Sequence, residues 1–176
     1  MEFYINKFYP VWILSLQQNN IIRPKTSNLI QNQFKAIVIN DGSHTRLIEY
    51  LNNQVIKIKI LEQNADQKRI RYVWLETILY KKITCARSLW KIKKNQNINK
   101  INKNLPIGKS FINAKIDIHK EIRELYYGYC KDIEKELRSK KGIWGRKYQL
   151  NYEDYSFILI QEFFSAQTAF FHKNIN

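Results

Sequence analysis

Residues 142–164, GIWGRKYQLNYEDYSFILIQEFF, place an acid among apolar side chains. On the two-residue period of a strand over Tyr155–Phe164, Ile158, Ile160, Glu162 and Phe164 share one face. Three arginines stand in similar settings. Arg71 shares a strand face with Val73 and Leu75, and Arg87 shares one with Ile83, Cys85 and Leu89. Arg146 follows a predicted turn in which Gly142 and Gly145 bracket Trp144. Burying an ionised group is costly unless it is paired, so these four charges imply internal ion pairs or a cavity for a charged ligand. The guanidinium fork matches both oxygens of a carboxylate, which makes a small acidic ligand as reasonable as RNA. At this point Glu162 is either a structural bridge to Arg146 or part of a site.

Other templates for chemistry are empty. The sequence has no phosphate-binding loop, dinucleotide glycine fingerprint, HExxH or GxSxG, and its three histidines are isolated. His44, His119 and His172 read as surface residues, His44 beside a turn. Cys85 and Cys130 lack CxxC or Cys/His spacing, so neither a metal site nor a disulfide framework is expected, and Cys85 reads as core.

Several elements must position the four charges. The opening apolar run over residues 11–18 leads into a loop ending at Ser27 or Asn28, either of which suits a helix cap for LIQNQFKAIVIND. A turn at Asp41 and Gly42, then a cap at Ser43 or Thr45, predicts a short helix through Leu47, Ile48 and Leu51. In QVIKIKILEQ, Ile56, Ile58 and Ile60 alternate with lysines, the pattern of a half-buried strand. Residues 70–79 and 83–90 form an antiparallel hairpin joined at Lys81 and Lys82. Apolar residues Ile118, Ile122, Leu125, Tyr129, Ile133 and Leu137 predict a long helix over Asp117–Arg138, ended by Gly142. A last hairpin, Arg146–Tyr152 and Phe157–Phe164, turns at NYEDY. The fold class expected is α+β, a single domain over 1–176 with an antiparallel sheet of about six strands and packed helices.

The 176 residues suffice for one domain with a sizeable core, and 44% hydrophobic content with nine Phe, eleven Tyr and four Trp argues against disorder. A net charge of +15 attracts polyanions or acidic ligands. Much of it lies in KIKKNQNINKINKN, whose Lys, Asn and Ile bias AT-rich coding also produces, and residues 91–104 read as a surface loop. The apolar start is too short to span a bilayer and no cleavage site follows it, so a soluble protein without a signal or transit peptide is expected.

Taken in order, six segments resemble the chorismate lyase family. IWGRKYQL followed by FILIQEFF is similar to its C-terminal Trp-Gly/Ala-Arg-Arg turn and Glu-bearing last strand. RYVWL and ARSLW resemble its two central strands, LPIG its Pro-Leu/Ile-Gly turn, and DGSHTRLIEYL its early Asp-x-Ser-x-Thr helix start. The branch encoded in algal plastid genomes is the most similar, which implies a plastid location. The resemblance implies a sheet with a ligand cavity under helical flaps, and cofactor-free conversion of chorismate to 4-hydroxybenzoate and pyruvate, serving a quinone head group.

By position, the resemblance implies that Arg71 clasps the ring carboxylate and Glu162 meets the 4-hydroxyl end, as catalytic residues. It implies Arg87 near the enolpyruvyl side or cavity gate, Arg146 beside Glu162, the Ala86 backbone and Ile107 as lining, and His44 on the early flap. A carboxyl held in an apolar row is expected to have a raised pKa, which suits a proton carrier. The partners expected are chorismate and 4-hydroxybenzoate, with no metal, no specific nucleic acid and a monomeric state. Two other functions fit the residues: a module that binds an aromatic acid without turnover, and nucleic-acid binding through the Lys-rich loop.

Overall fold

In the computed structural model, residues 7–16, 40, 42–65, 68–91, 102, 104–152 and 156–165 are described. The predicted helix in LIQNQFKAIVIND and its caps, most of the Lys-rich segment, the tip of the NYEDY turn and His172 lie outside them.

Among the described residues, alternating apolar and polar side chains build seven strands: β1 Tyr9–Ser15, β2 Lys57–Ala65, β3 Lys68–Glu76, β4 Lys82–Lys91, β5 His119–Tyr129, β6 Ile143–Tyr152 and β7 Ser156–Ser165. They form one sheet in the order β1-β5-β6-β7-β4-β3-β2. Every neighbouring pair is antiparallel. Three helices are described: α1 His44–Asn52, α2 Ile107–Ala114 and α3 Lys131–Leu137. This is the expected α+β class, with seven strands where about six were predicted.

The sheet has two working faces. On one, Ile158, Ile160, Phe164, Tyr148 and Leu150 pack with Phe111 of α2. On the other, Ile133 and Leu137 of α3 pack on Trp74, Cys85, Ile143 and Phe163. Both cysteines are buried. Ser43 caps α1 as expected, its Oγ accepting from the Arg46 amide. Thr77–Lys81 closes the β3–β4 hairpin, the Thr77 amide donating to the Lys81 carbonyl at 2.9 Å.

Three expectations are corrected. The long helix over Asp117–Arg138 is instead strand β5, Cys130 and the short helix α3. A bulge between Ile122 and Glu124 breaks the two-residue period. Ile122 therefore pairs with Tyr148 and Leu125 with Arg146, so two buried residues three apart lie on one face and imitate helical spacing. The LPIG turn opens helix α2, with Pro106 at its N-cap. Gly145, assigned to a turn, lies inside β6 opposite Tyr126.

The glycine is required by packing. A Cβ at residue 145 would enter the Tyr126 ring and lie 3.0 Å from the Glu162 carbonyl oxygen. Gly145→Ala is expected to destabilise the fold by about 1–3 kcal/mol, the range for overpacking a tight core. Denaturant unfolding would measure it, and a loss below a few tenths of a kcal/mol would show that the Tyr126 ring yields freely.

Candidate functional site

A cavity of about 540 Å³ lies between the sheet and the N-terminal ends of α1 and α2. This is within the range of small-molecule sites, roughly 300–1,000 Å³. Its floor is set by strand pairing. Val73, Ala86, Glu162 and Arg146 are successive partners across β3, β4, β7 and β6. Arg71, Ser88, Ile160 and Tyr148 form the next row. His44 and Thr45 of α1, Ile107 and Gly108 of α2, and Lys120 of β5 complete the wall.

Glu162 is both paired and in the cavity wall. Its Oε2 accepts from Arg146 Nε at 2.7 Å and its Oε1 accepts from the Tyr148 hydroxyl at 2.7 Å. Arg146 is fully buried, and its Nη1 also donates to the Asn40 carbonyl at 3.3 Å. Burial pushes the Glu162 carboxyl up, but Arg146, then His44, Lys120 and the Tyr148 hydrogen bond, together bring it down to about 2. The raised pKa expected from the apolar row is thus corrected: that row lies beside a cation, and Glu162 is an anion at neutral pH.

Arg71 sits differently. It is 4% exposed, and its Nη2 donates to the Leu105 carbonyl at 3.1 Å. Its Nε has no hydrogen-bond partner, and no carboxylate pairs with it among the described residues. Burial lowers its pKa to about 10, so it stays charged at neutral pH. Two strand spacings and one two-residue step place its Cα about 12 Å from that of Glu162, room for a single ring between the side chains.

His44, read as a surface residue, is 5% exposed. The Ser43 cap makes it the first residue of α1, where its Nε2 contacts Thr84 Oγ1 at 3.0 Å and its ring lies 6.0 Å from that of Phe164. Burial lowers its pKa to about 4 despite the opposing pull of Glu162, with Arg146 and Lys120 adding to the fall. Its ring is neutral at pH 7.

The unfolded His44 pKa is 6.5 and the folded value is about 4. Between these values the unfolded chain binds more protons, so stability is full above 6.5 and is lost as the pH falls toward 4. The loss attached to His44 is about 3 kcal/mol at most. Glu162, at 4.5 unfolded and about 2 folded, adds a second loss below 4.5. Melting temperatures from pH 7 to 4 are expected to fall, and His44→Gln to flatten that stretch. An unchanged slope in the variant would remove His44 as its source.

Arg87 does not join this group. Ala86 faces the cavity, so strand alternation sends the next side chain to the opposite face. There Arg87 Nη2 donates to Gln161 Oε1 at 2.6 Å, beside a small recess with Leu89 and Leu159. Its placement near the enolpyruvyl side is corrected on that ground. The structure therefore brings together Arg71, Ala86, Ile107, His44, Glu162 and Arg146, and leaves Arg87 apart. The sequence reading passed over Tyr148 and Lys120. Tyr148 lies two residues after Arg146 and so shares its face; Lys120 was hidden by the helical assignment of β5.

The antiparallel sheet thus holds a buried arginine at one end of the cavity and a buried ion pair at the other. The family described as Chorismate pyruvate-lyase Rv2949c-like matches residues 65–172, and the chain belongs to that family. It is also 39% identical to the "Uncharacterized protein ycf21" of Antithamnion sp. over 96% of each chain. A protein of the same name in Porphyra purpurea is 34% identical over 75% of this chain and 80% of that one. The one in Cyanophora paradoxa is 26% identical over 79% and 80%. None of the described helices is long and apolar enough to cross a membrane.

Proposed function

We propose that this protein converts chorismate to 4-hydroxybenzoate and pyruvate without a cofactor. The observation that carries the reading is Arg71: a buried guanidinium in a cavity wall, with no carboxylate partner among the described residues. An uncompensated buried charge is costly unless a ligand balances it. Arg71 presents a buried cation to the cavity, which suits an acidic ligand such as chorismate.

The chemistry asks little of the protein beyond placement. A proton leaves ring carbon 4, its electron pair completes the aromatic ring, the bond from carbon 3 to the ether oxygen breaks, and the released enolate takes up one proton at its methylene carbon to become pyruvate, so that protons balance overall. Aromaticity supplies the driving force, so the site has to orient the ring and stabilise charge on the leaving oxygen. Arg71 holds the ring carboxylate in a bidentate fork. Glu162, held ionised by Arg146 and Tyr148, accepts a hydrogen bond from the 4-hydroxyl and fixes the ring's far end. Its low pKa makes it an acceptor rather than a proton carrier. Neutral His44, Ala86 and Ile107 form the less polar wall.

The similarity to the plastid-encoded ycf21 proteins of algae supports a plastid location, and the product suits a quinone head group. Chelated, dialysed protein given chorismate is expected to release 4-hydroxybenzoate at an unchanged rate. A rate that disappears on chelation and returns with added metal would contradict cofactor-free elimination.

A further inference from the structure

At the end of the β3–β4 hairpin, Ile78, Leu79 and Tyr80 are consecutive apolar residues that the fold leaves outside, 49%, 86% and 76% exposed. The turn that presents them is fixed from beneath. Thr77 is buried; its carbonyl accepts from the Tyr80 amide at 3.0 Å and its Oγ1 from the Lys81 amide at 3.1 Å. Tyr80 has a φ of 58°, in the left-handed region that glycine and asparagine favour and a bulky side chain uncommonly takes. A tyrosine kept there against local preference, with its ring in solvent, calls for a contact outside the chain. The surroundings are basic. Lys57 pairs with Glu76 across β2–β3, which brings the start of β2 beside the turn, and its Nζ lies 5.9 Å from the centre of the Tyr80 ring. Lys59, Lys81 and Val55 are exposed as well. Neither residues 53–59 nor residues 77–82 include an acid. Acids of the adjoining elements are buried or engaged: Glu76 is buried, Glu49 accepts from the Ile56 amide and Glu136 pairs with Lys82.

We infer that this hairpin tip docks the protein on an anionic lipid surface. The tip is convex, so it does not enclose a small ligand as a concave pocket does. Protruding apolar side chains enter between lipid headgroups, where a tyrosine ring matches the boundary between acyl chains and water. The lysines around them then face the phosphates, and a chain of net charge +15 is drawn to the same surface. A second copy would bring two basic tips together, and that like-charge contact disfavours it as the occupant. Ile78, Leu79 and Tyr80 are not among the residues lining the large cavity, so lipid contact and ligand binding are separable properties.

The test is cosedimentation with vesicles of two parts phosphatidylcholine to one part phosphatidylglycerol, in about 0.15 M salt to screen diffuse attraction. The parent is expected to bind these vesicles and not vesicles of phosphatidylcholine alone. The double variant Leu79→Ser with Tyr80→Asn keeps the net charge and suits the left-handed position. It is expected to weaken binding by about 10-fold or more, with an unchanged melting temperature. Lys57→Gln and Lys81→Gln are each expected to weaken it by about 5-fold. Equal binding by parent and double variant would mean that net charge alone holds the protein, and would overturn the inference. So would a parent that stays in solution, or one that forms a dimer which the double variant loses. A second readout is independent of that variant's folding: an environment-sensitive fluorophore on Leu79→Cys, the chain's two native cysteines being buried. Its emission is expected to shift to the blue on adding the mixed vesicles, and an unshifted spectrum on bound protein would show that the tip does not enter the lipid.

Discussion

Replacing Arg71 with methionine is expected to abolish ligand binding while leaving the protein as stable as the parent or more so. Arg71 is 4% exposed and donates from Nη2 to the Leu105 carbonyl. Its charge lies among Val73, Leu75 and Ser88 with no carboxylate to offset it among the described residues. A methionine of similar length removes that desolvated charge, and replacement of buried ions by apolar groups is often neutral or stabilising. Binding should respond in the opposite sense. Loss of a bidentate carboxylate contact in a closed site is expected to weaken 4-hydroxybenzoate by about 100-fold or more. Tryptophan fluorescence titration and thermal melts on one preparation measure both quantities. A variant that melts well below the parent and binds normally would show that Arg71 is structural. This opposition of stability and function is the expected mark of a charge kept for a ligand.

Glu162→Ala is expected to act on the fold as strongly as on the site. It would leave Arg146, which is 0% exposed, without its 2.7 Å carboxylate partner, and leave the Tyr148 hydroxyl without an acceptor. Removing one member of a buried pair costs about 3–5 kcal/mol because the surviving charge is uncompensated. The double variant Glu162→Gln with Arg146→Met is expected to recover much of that stability, since both charges then leave together. Neither variant should turn over chorismate. A double variant no more stable than Glu162→Ala would mean that Arg146 owes its place to the Asn40 carbonyl and its other contacts, and not to the carboxylate. Equilibrium unfolding in urea separates the two outcomes.

These contrasts explain which parts of the site were legible in the sequence. Strand alternation located Arg71, Arg146 and Glu162 on inward faces because each lies in an unbroken run of period two. The same rule, applied to Ala86 and Arg87 together, already forbids both side chains from facing one cavity. His44 was misread because a turn-adjacent histidine gives no local sign that Thr84, far along the chain, will receive its ring. Lys120 was hidden by the bulge between Ile122 and Glu124, which gives β5 a three-residue spacing of apolar side chains. Gly145 shows the same limit from the other side: its neighbours suggest a turn, whereas it is the Tyr126 ring, on the partner strand, that requires a glycine there. The Glu162 titration was misjudged although Arg146 stood as its candidate partner, because the expectation weighed the apolar row and not the guanidinium buried across the β6–β7 pair.

The central claim is tested most directly by incubating the purified protein with chorismate and quantifying 4-hydroxybenzoate and pyruvate together, beside the Arg71→Met variant. Equimolar appearance of the two products with the parent, and none above the uncatalysed rate with the variant, is the expected result. Absence of both products from a parent that still binds 4-hydroxybenzoate through Arg71 would contradict the lyase and leave a binding module on the same sheet.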